Sequence, residues 1–399
     1  ISALKLRASY GLQGNIDRHT SKNFVGTYGT TRLRGSSETT LLADSYPNSN
    51  LRWEKTTNTN LGIDLGLFRN RLNLTFDVYK RVGTDIIGLK EMPQESGVDY
   101  ATINWAGLTN KGFEFSISSL NIDKENFKWS TTFNIAANRS NIDAIMARNN
   151  QFSPSGLGYP VNAVFGFKTA GLDANGIPLF YDKSGAVVSA VELFKLENPY
   201  ASWGLTDYVE SKLSDVEARD LFSYLGDRDP KFFGGITNTF NYKNWDLNVV
   251  ATFNIKQYVK GTPTYNFTAV DRGLNYNTDV IGALAGTGSL PYIIGPYTAD
   301  NVAYTWFYPG NDYIQVYNNL DIWNKEVSFV RISSIRLGYT LPSDMLKSVG
   351  IKSFRLSLEG RNLFTFGTKI NGYFDPETYG NLYASPIQKS VVFGFNVGF

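Results

Sequence analysis

The chain closes on SVVFGFNVGF, residues 390–399. Val391, Phe393, Phe395, Val397 and Phe399 share one parity, and Val392, Gly394, Asn396 and Gly398 share the other. One face is therefore greasy and the other mostly small or polar, which is the two-residue period of a β-strand. In a soluble protein such a terminal strand faces a core. In an outer-membrane barrel its greasy face meets lipid and its small face the lumen.

Composition narrows the choice. Among 399 residues Phe (27) and Tyr (24) far outnumber Trp (7), and Gly reaches 37, a bias that favours extended structure. Cysteine is absent, which excludes a disulfide framework and thiolate chemistry. A net charge of +2 with 19% charged residues leaves no basic footprint for nucleic acid. No apolar run approaches the roughly 18–20 residues of a membrane helix, so any membrane role falls to strands. The opening ISALKLRASYG lacks an initiator Met, a basic n-region and an apolar h-region, and already alternates through Leu4, Leu6, Ala8 and Tyr10. The expectation is a segment of something longer.

Runs of period two recur at 3–12, 58–67, 71–80, 111–120, 127–138, 232–242, 245–254, 328–340, 353–362 and 390–399. Short links such as KN at 243–244 alternate with long ones at 13–57, 81–110, 139–231, 255–327 and 363–389. Tight turns at one end and large loops at the other describe an up-and-down membrane barrel. A sandwich scatters its loop lengths over both ends. The fold class expected is therefore all-β, an antiparallel transmembrane β-barrel of which about ten strands are here.

Face chemistry agrees. In RLNLTFDVYK, Leu72, Leu74, Phe76 and Val78 oppose Arg71, Asn73, Thr75, Asp77 and Tyr79. In SFRLSLEGR, Phe354, Leu356 and Leu358 oppose Ser353, Arg355, Ser357, Glu359 and Arg361. Repeated charge on the second face means a wet interior. Phe68, Phe127, Trp129, Tyr242, Trp245, Tyr339, Phe354 and Phe399 gather at the short-turn end, where an interfacial girdle of amphipathic rings belongs. In FVRISSIRLGYT the apolar phase slips between Ile332 and Ile335, which predicts a β-bulge near Ser333 and Ser334.

Several stretches resemble the C-terminal part of SusC/RagA-type TonB-dependent outer-membrane transporters. They are LRWEKTTNTNLGIDLGLFRNRLNLTFDVYKR at 51–81, NKGFEFSISS at 110–119, FKWSTTFNIAANRSNI at 127–142, LGDRDPKFFGGITNTFNYKNWDLNVVATF at 225–253, SFVRISSIRLGYTLP at 328–342 and RNLFTFGTKINGYFDPE at 361–377. They span nearly the whole chain in the family's order. The resemblance implies a 22-strand barrel whose plug, TonB-interacting segment and earlier strands lie upstream of Ile1. It also implies a SusD-like surface lipoprotein as lid and the TonB–ExbB–ExbD complex as energy source, with oligosaccharide or oligopeptide as cargo. The polar wall would include Asp64, Arg71, Asp77, Glu114, Arg355, Glu359 and Arg361. Phe395 and Phe399 would serve barrel closure and assembly, and the location implied is the outer membrane of a Bacteroidetes-like cell.

Catalysis finds little support. The single histidine, His19, sits in the polar stretch GNIDRHTSKN, so no Ser/His/Asp arrangement is assigned. Glu91 with Glu95 and Asp227 with Asp229 read as solvated loop charges rather than a glycosidase pair. LDANGIPLFYDKSG at 172–185 lacks the ligand spacing of a calcium loop. No cofactor is expected. Loop 299–323 interleaves Tyr304, Trp306, Phe307, Tyr308, Tyr313, Tyr317 and Trp323 with Asn and Asp, including Asn318. Rings that stack on sugar faces or peptide side chains, beside amides that hydrogen-bond, suit a polar oligomer. Two rival readings are a self-contained outer-membrane barrel enzyme or adhesin, and a soluble all-β carbohydrate-binding module.

Overall fold

The computed structural model describes residues 1–16, 23, 25–33, 36–45, 48–96, 100–145, 154–172, 178–197, 210–261, 316, 318–346, 350–368, 375–379 and 385–399. Ten strands form one antiparallel sheet in sequence order: β1 (Ala3–Asn15), β2 (Glu54–Leu67), β3 (Leu72–Glu91), β4 (Tyr100–Lys124), β5 (Phe127–Ala144), β6 (Phe232–Tyr242), β7 (Trp245–Lys260), β8 (Asn324–Thr340), β9 (Ser353–Gly367) and β10 (Ser390–Gly398). Each pairs with its chain neighbours, so the sheet is a pure meander and β1 and β10 are its edges among the described residues. All ten expected strands are found.

Register carries the alternation from strand to strand. Leu4 faces Leu65, which faces Leu74, which faces Ile117. At the other side Leu247 faces Leu337, Leu337 faces Leu358, and Leu358 faces Phe393. One face of the sheet is thus continuously apolar and stays open, with Leu6 74%, Phe393 66% and Phe395 71% exposed. At the short-link end, Phe127, Tyr242, Trp245 and Tyr339 lie in one row. The Trp245 and Tyr339 rings are 4.5 Å apart, and Trp129 stacks on Phe240 at 5.6 Å. The expected bulge is present: register shifts between Ile332 and Ser334 on the β9 side, and between Val250 and Ala251 on the β7 side. Against β7 Ser333 is the extra residue, and its hydroxyl meets that of Thr252 at 3.0 Å.

The expected loop 81–110 needs correction. β3 continues to Glu91 and β4 begins at Tyr100, so most of this stretch is paired strand, and a turn of 3₁₀ helix at Gln94–Ser96 lies between them. Alternation is lost there because register shifts twice, between Gly83 and Ile86 and between Ile86 and Ile87. Asp85 sits in the left-handed region at the slip (φ 57°). At ~3.4 Å per residue, the 25 residues of β4 extend about 85 Å, far beyond the ~10 residues a bilayer crossing needs. The other long links also begin later or end sooner than expected, at Asn15, Ala144, Lys260 and Gly367. Within the first of them, Val25–Leu33 and Ser36–Ser45 pair as a separate hairpin.

The densest burial lies away from the sheet, in a lobe built from the link between β5 and β6. Ala163–Gly166 pairs with Ser223–Asp227, and Thr169–Leu172, Pro178–Tyr181 and Val187–Ser189 form a small sheet. Two short helices, α1 (Ala190–Leu193) and α2 (Asp215–Asp220), each start with a Ser/Glu capping box. Glu217 in the α2 box accepts from the Ser214 N–H at 2.9 Å and from Lys195 at 2.8 Å. The Lys195 ammonium first, then the Ser214 donors, hold its carboxyl down to about 2. A depressed carboxylate stabilises fully above its ordinary pKa, and that contribution is lost as pH falls towards 2. Amide-exchange protection over residues 215–221 is therefore expected to fall between pH 5 and about 2, and to stay flat in Glu217→Gln.

Candidate functional site, a polar wall with paired charges

The face opposite the apolar one carries the charges. Six of the seven wall residues expected from sequence lie on it by parity and register. Asp64 pairs in register with Thr75, Asp77 with Glu114, and Arg336 with Glu359. Arg71 does not join them. It lies in the tight link before β3, where its guanidinium donates to the Leu120 and Asn121 carbonyls at 3.1–3.3 Å. Position in the turn, not parity, decides its role.

Two of the expected charges share one partner that sequence reasoning did not pair with them. Arg7 on β1 donates to both Asp64 oxygens at 2.9 and 3.0 Å and to both Asp77 oxygens at 2.7 Å. Asp77 lies two strands away, beyond Gly62 on β2, which pairs with Arg7 on one side and Asp77 on the other. A Cβ at Gly62 would meet Asp77 Oδ1 and the Arg7 guanidinium at once. The same device recurs where Arg355 on β9 donates to Asp246 on β7 at 2.7 Å across Gly338 of β8. Tyr79 similarly donates to Asn138 at 3.1 Å across the intervening β4. Charge pairs therefore staple alternate strands along the wall, and glycine on the strand between leaves the room. Gly62→Val is expected to cost about 1–3 kcal/mol by overpacking and to break the Arg7–Asp77 contact. A double-mutant cycle with Asp77→Asn, read by denaturant unfolding of the whole protein, checks it: the two costs should not add.

Further along, Glu359 accepts from Arg361 at 2.8 Å and from the Ser334 hydroxyl beside the bulge at 3.0 Å. Glu114 stays exposed and makes no ion pair among the described residues. Near the long-link end, Arg331 is 3% exposed and pairs with Asp375 at 2.5 Å and Glu377 at 3.3 Å. The Asp375–Tyr379 turn thereby folds back onto β7 and β8, with Tyr379 packed against Val259 and Val327. Burial pushes the Tyr379 phenol above its ordinary value. Asp227, in the lobe, is likewise raised by burial, opposed by the Asp229 N–H it accepts.

The loop aromatics expected to hold ligand divide in two. Tyr304, Trp306, Tyr308 and Tyr313 lie outside the described residues. Asn318 is half-buried, and Trp323, in the 3₁₀ turn Asp321–Trp323, is 6% exposed. The Trp323 ring is a packing group at the foot of β8 rather than a free stacking platform. Open aromatics stand elsewhere: Trp53 58%, Trp105 51% and Tyr224 39% exposed. Trp53 and Trp105 flank a network in which Asn104 accepts from the Arg52 N–H at 2.8 Å and donates to the Arg52 carbonyl at 2.7 Å, while Arg52 reaches Asp85 at 2.5 Å. Phe395 is open on the edge strand β10, and Phe399 lies just beyond it, 82% exposed. No group of three His, Cys, Asp or Glu among the described residues is placed to hold a metal ion. His19 lies outside them.

A sequential antiparallel meander with one apolar face and one charged face is a segment of a transmembrane β-barrel, and its likeness is to transporters of the TonB-dependent class. The chain is 27% identical over 394 residues to TonB-dependent receptor P3 of Formosa agariphila, covering 92% of this chain and 35% of that protein. It is 24% identical over 424 residues to TonB-dependent receptor SusC of Bacteroides thetaiotaomicron, covering 98% and 37%. The structure of the RagAB peptide importer in its open-open state superposes with a TM-score of 0.72 at 23% identity, over 100% of this chain and 40% of that one. The RagAB peptide transporter superposes at 0.70. No family model matches the sequence. The resemblance to SusC/RagA-type transporters carried by the quoted segments thus extends to whole-chain similarity and to the fold. The chain spans 35–37% of the length of these curated relatives.

Proposed function

We propose that this chain is the C-terminal part of the barrel of an outer-membrane, TonB-dependent importer of oligosaccharides or oligopeptides. The observation that carries the reading is the stapled polar wall behind a continuous apolar face. A lipid face must be apolar and a wet interior accommodates charge, so a wall built this way separates lipid from an aqueous path. In this reading the apolar face meets lipid, the aromatic row marks the periplasmic interface, and the long links and the lobe stand outside the cell. Cargo is captured between those links and a SusD-like lipoprotein lid. The TonB–ExbB–ExbD complex, acting on a plug supplied by the remainder of the protein, opens the path along the wall. The wall does no covalent chemistry; its charges line the route.

The test is to tag a surface link of the whole protein, leaving Phe399 unmasked, to solubilise outer membranes gently, and to identify by mass spectrometry what co-purifies. Plug peptides, a surface lipoprotein and a bound glycan or peptide are expected, and the last of these fixes the cargo class. A chain recovered alone without detergent overturns the reading.

A further inference from the structure

Register places three cations side by side on the apolar face. Lys80 on β3 faces Lys111 on β4, and Lys111 faces Arg139 on β5. All three are exposed. One rung nearer the short links the same columns read Val78, Phe113 and Ala137, so the row stands where the apolar surface ends. Like charges directly opposite one another on adjacent strands repel. Nothing among the described residues neutralises them: none of the three makes an ion pair there. Arg139 feels Asp227 only at a distance, and Asp143, higher on β5, is engaged by Thr109 and Asn141. Lys231, just before β6, holds its ammonium 5.7 Å over the Phe232 ring.

The level of the row matters as much as its charge. Trp129, one rung inside the aromatic row, and Arg139 are ten residues apart on one strand, about 34 Å at ~3.4 Å per residue. At a strand tilt of roughly 40°, that is about 26 Å of height, against an apolar band of about 25 Å in such barrels. The cations therefore stand at the boundary opposite the aromatic row, at headgroup height, above a surface formed by Val78, Phe76 and Phe113, whose two rings lie 6.1 Å apart. We propose that Lys80, Lys111 and Arg139 bind the phosphate of an anionic lipid in the outer leaflet, whose acyl chains lie along the apolar columns beneath. The phosphate removes the like-charge repulsion that the described residues leave uncompensated, which is why cations rather than neutral polar groups occupy the row.

This inference rests on the apolar face being the lipid face, and the experiment separates the two. The whole protein and its Lys80→Gln/Lys111→Gln/Arg139→Gln variant are placed in phosphatidylcholine nanodiscs doped with fluorescent phosphatidylglycerol, and enrichment of the probe at the protein is read. Each basic residue is expected to contribute roughly fivefold, so the triple variant should bind the probe about 100-fold more weakly, with the wild-type signal falling as salt rises. Lys124→Gln, at the other end of β4, should change nothing. In pure phosphatidylcholine the triple variant should unfold at the same temperature as wild type or higher, because the repulsion is gone. Equal enrichment by wild type and triple variant overturns the lipid site. Displacement of the probe by inorganic phosphate at equal concentration overturns it in favour of a free-anion site. A wild-type protein that needs no detergent overturns both the site and the reading of the face.

Discussion

Asp375→Ala is expected to detach the turn that follows β9 from the wall. Arg331 and Asp375 are both nearly fully buried, with side-chain exposures of 4% and 9%. Removal of the carboxylate leaves a buried guanidinium whose one anionic partner among the described residues is Glu377, itself 35% exposed. Breaking one side of a buried pair costs about 3–5 kcal/mol, most of it the cost of an uncompensated charge rather than of a lost bond. Asp375 also organises the turn, since its carbonyl accepts from the Tyr379 N–H at 2.9 Å and its side chain from the Glu377 N–H at 3.0 Å. Amide exchange at residues 376–379 should therefore accelerate by about two to three orders of magnitude. The sheet, whose hydrogen bonds do not pass through Asp375, should keep its exchange pattern. A companion variant separates charge from shape. Arg331→Met with Asp375→Leu removes both charges, and an apolar replacement of a buried pair is commonly neutral or stabilising. The double variant should recover most of the lost protection. Equal damage in single and double variants would mean that the turn is held by its backbone and by Tyr379 instead.

The ten strands were legible because each keeps its period across the stretch that separates two unlike environments. The bulge was legible for the same reason: a phase slip at Ser333 is visible only against a strict alternation on either side. Where both faces of a strand meet similar surroundings the signal disappears. Residues 81–91 and 100–110 are paired strand, but the twist at Asp85, held by Arg52 and Lys55, scrambles the alternation and the stretch reads as loop. The wall charges could be assigned to a face from sequence, and their partners could not. Arg7 and Asp77 are 70 residues apart, and only the register through Gly62 brings them together. The cationic row is the same case on the opposite face: Lys80 and Lys111 end or begin two separate runs, Arg139 lies just beyond a third, and nothing in any one of them announces the other two. Trp323 is the converse case, since an aromatic within a Tyr- and Asn-rich stretch looks available in sequence but is 6% exposed in the fold.

Phe194→Ala is expected to unfold the lobe and leave the barrel wall standing. The lobe strands run for only two to five residues and hold too few ladder bonds to persist alone, so the lobe depends on its core. Phe194 is fully buried, with its ring 5.4 Å from Phe167 and 5.6 Å from Phe180, both edge-on. Phe167 in turn lies 4.5 Å from Phe222. Truncating one ring of such a cluster costs about 3–5 kcal/mol through lost transfer energy and an unfilled cavity. The cluster is also the anchor. The Phe167 N–H donates to the Asn319 carbonyl at 2.8 Å, its carbonyl accepts from the Asp321 N–H at 3.0 Å, and Thr169 donates to the Asp321 carboxylate at 2.7 Å. Loss of the core should therefore release the chain segment that leads into β8 at the same time. Limited proteolysis of the whole protein in detergent should cut the variant between residues 154 and 230 well before wild type, while the heat-modifiable migration that reports an intact barrel is retained. Loss of that migration in Phe194→Ala would instead mean that the lobe and the ten-stranded wall fold as one cooperative unit. The wall makes that outcome the less expected one, because its inter-strand ladders and its arginine staples are complete without any residue of the lobe core.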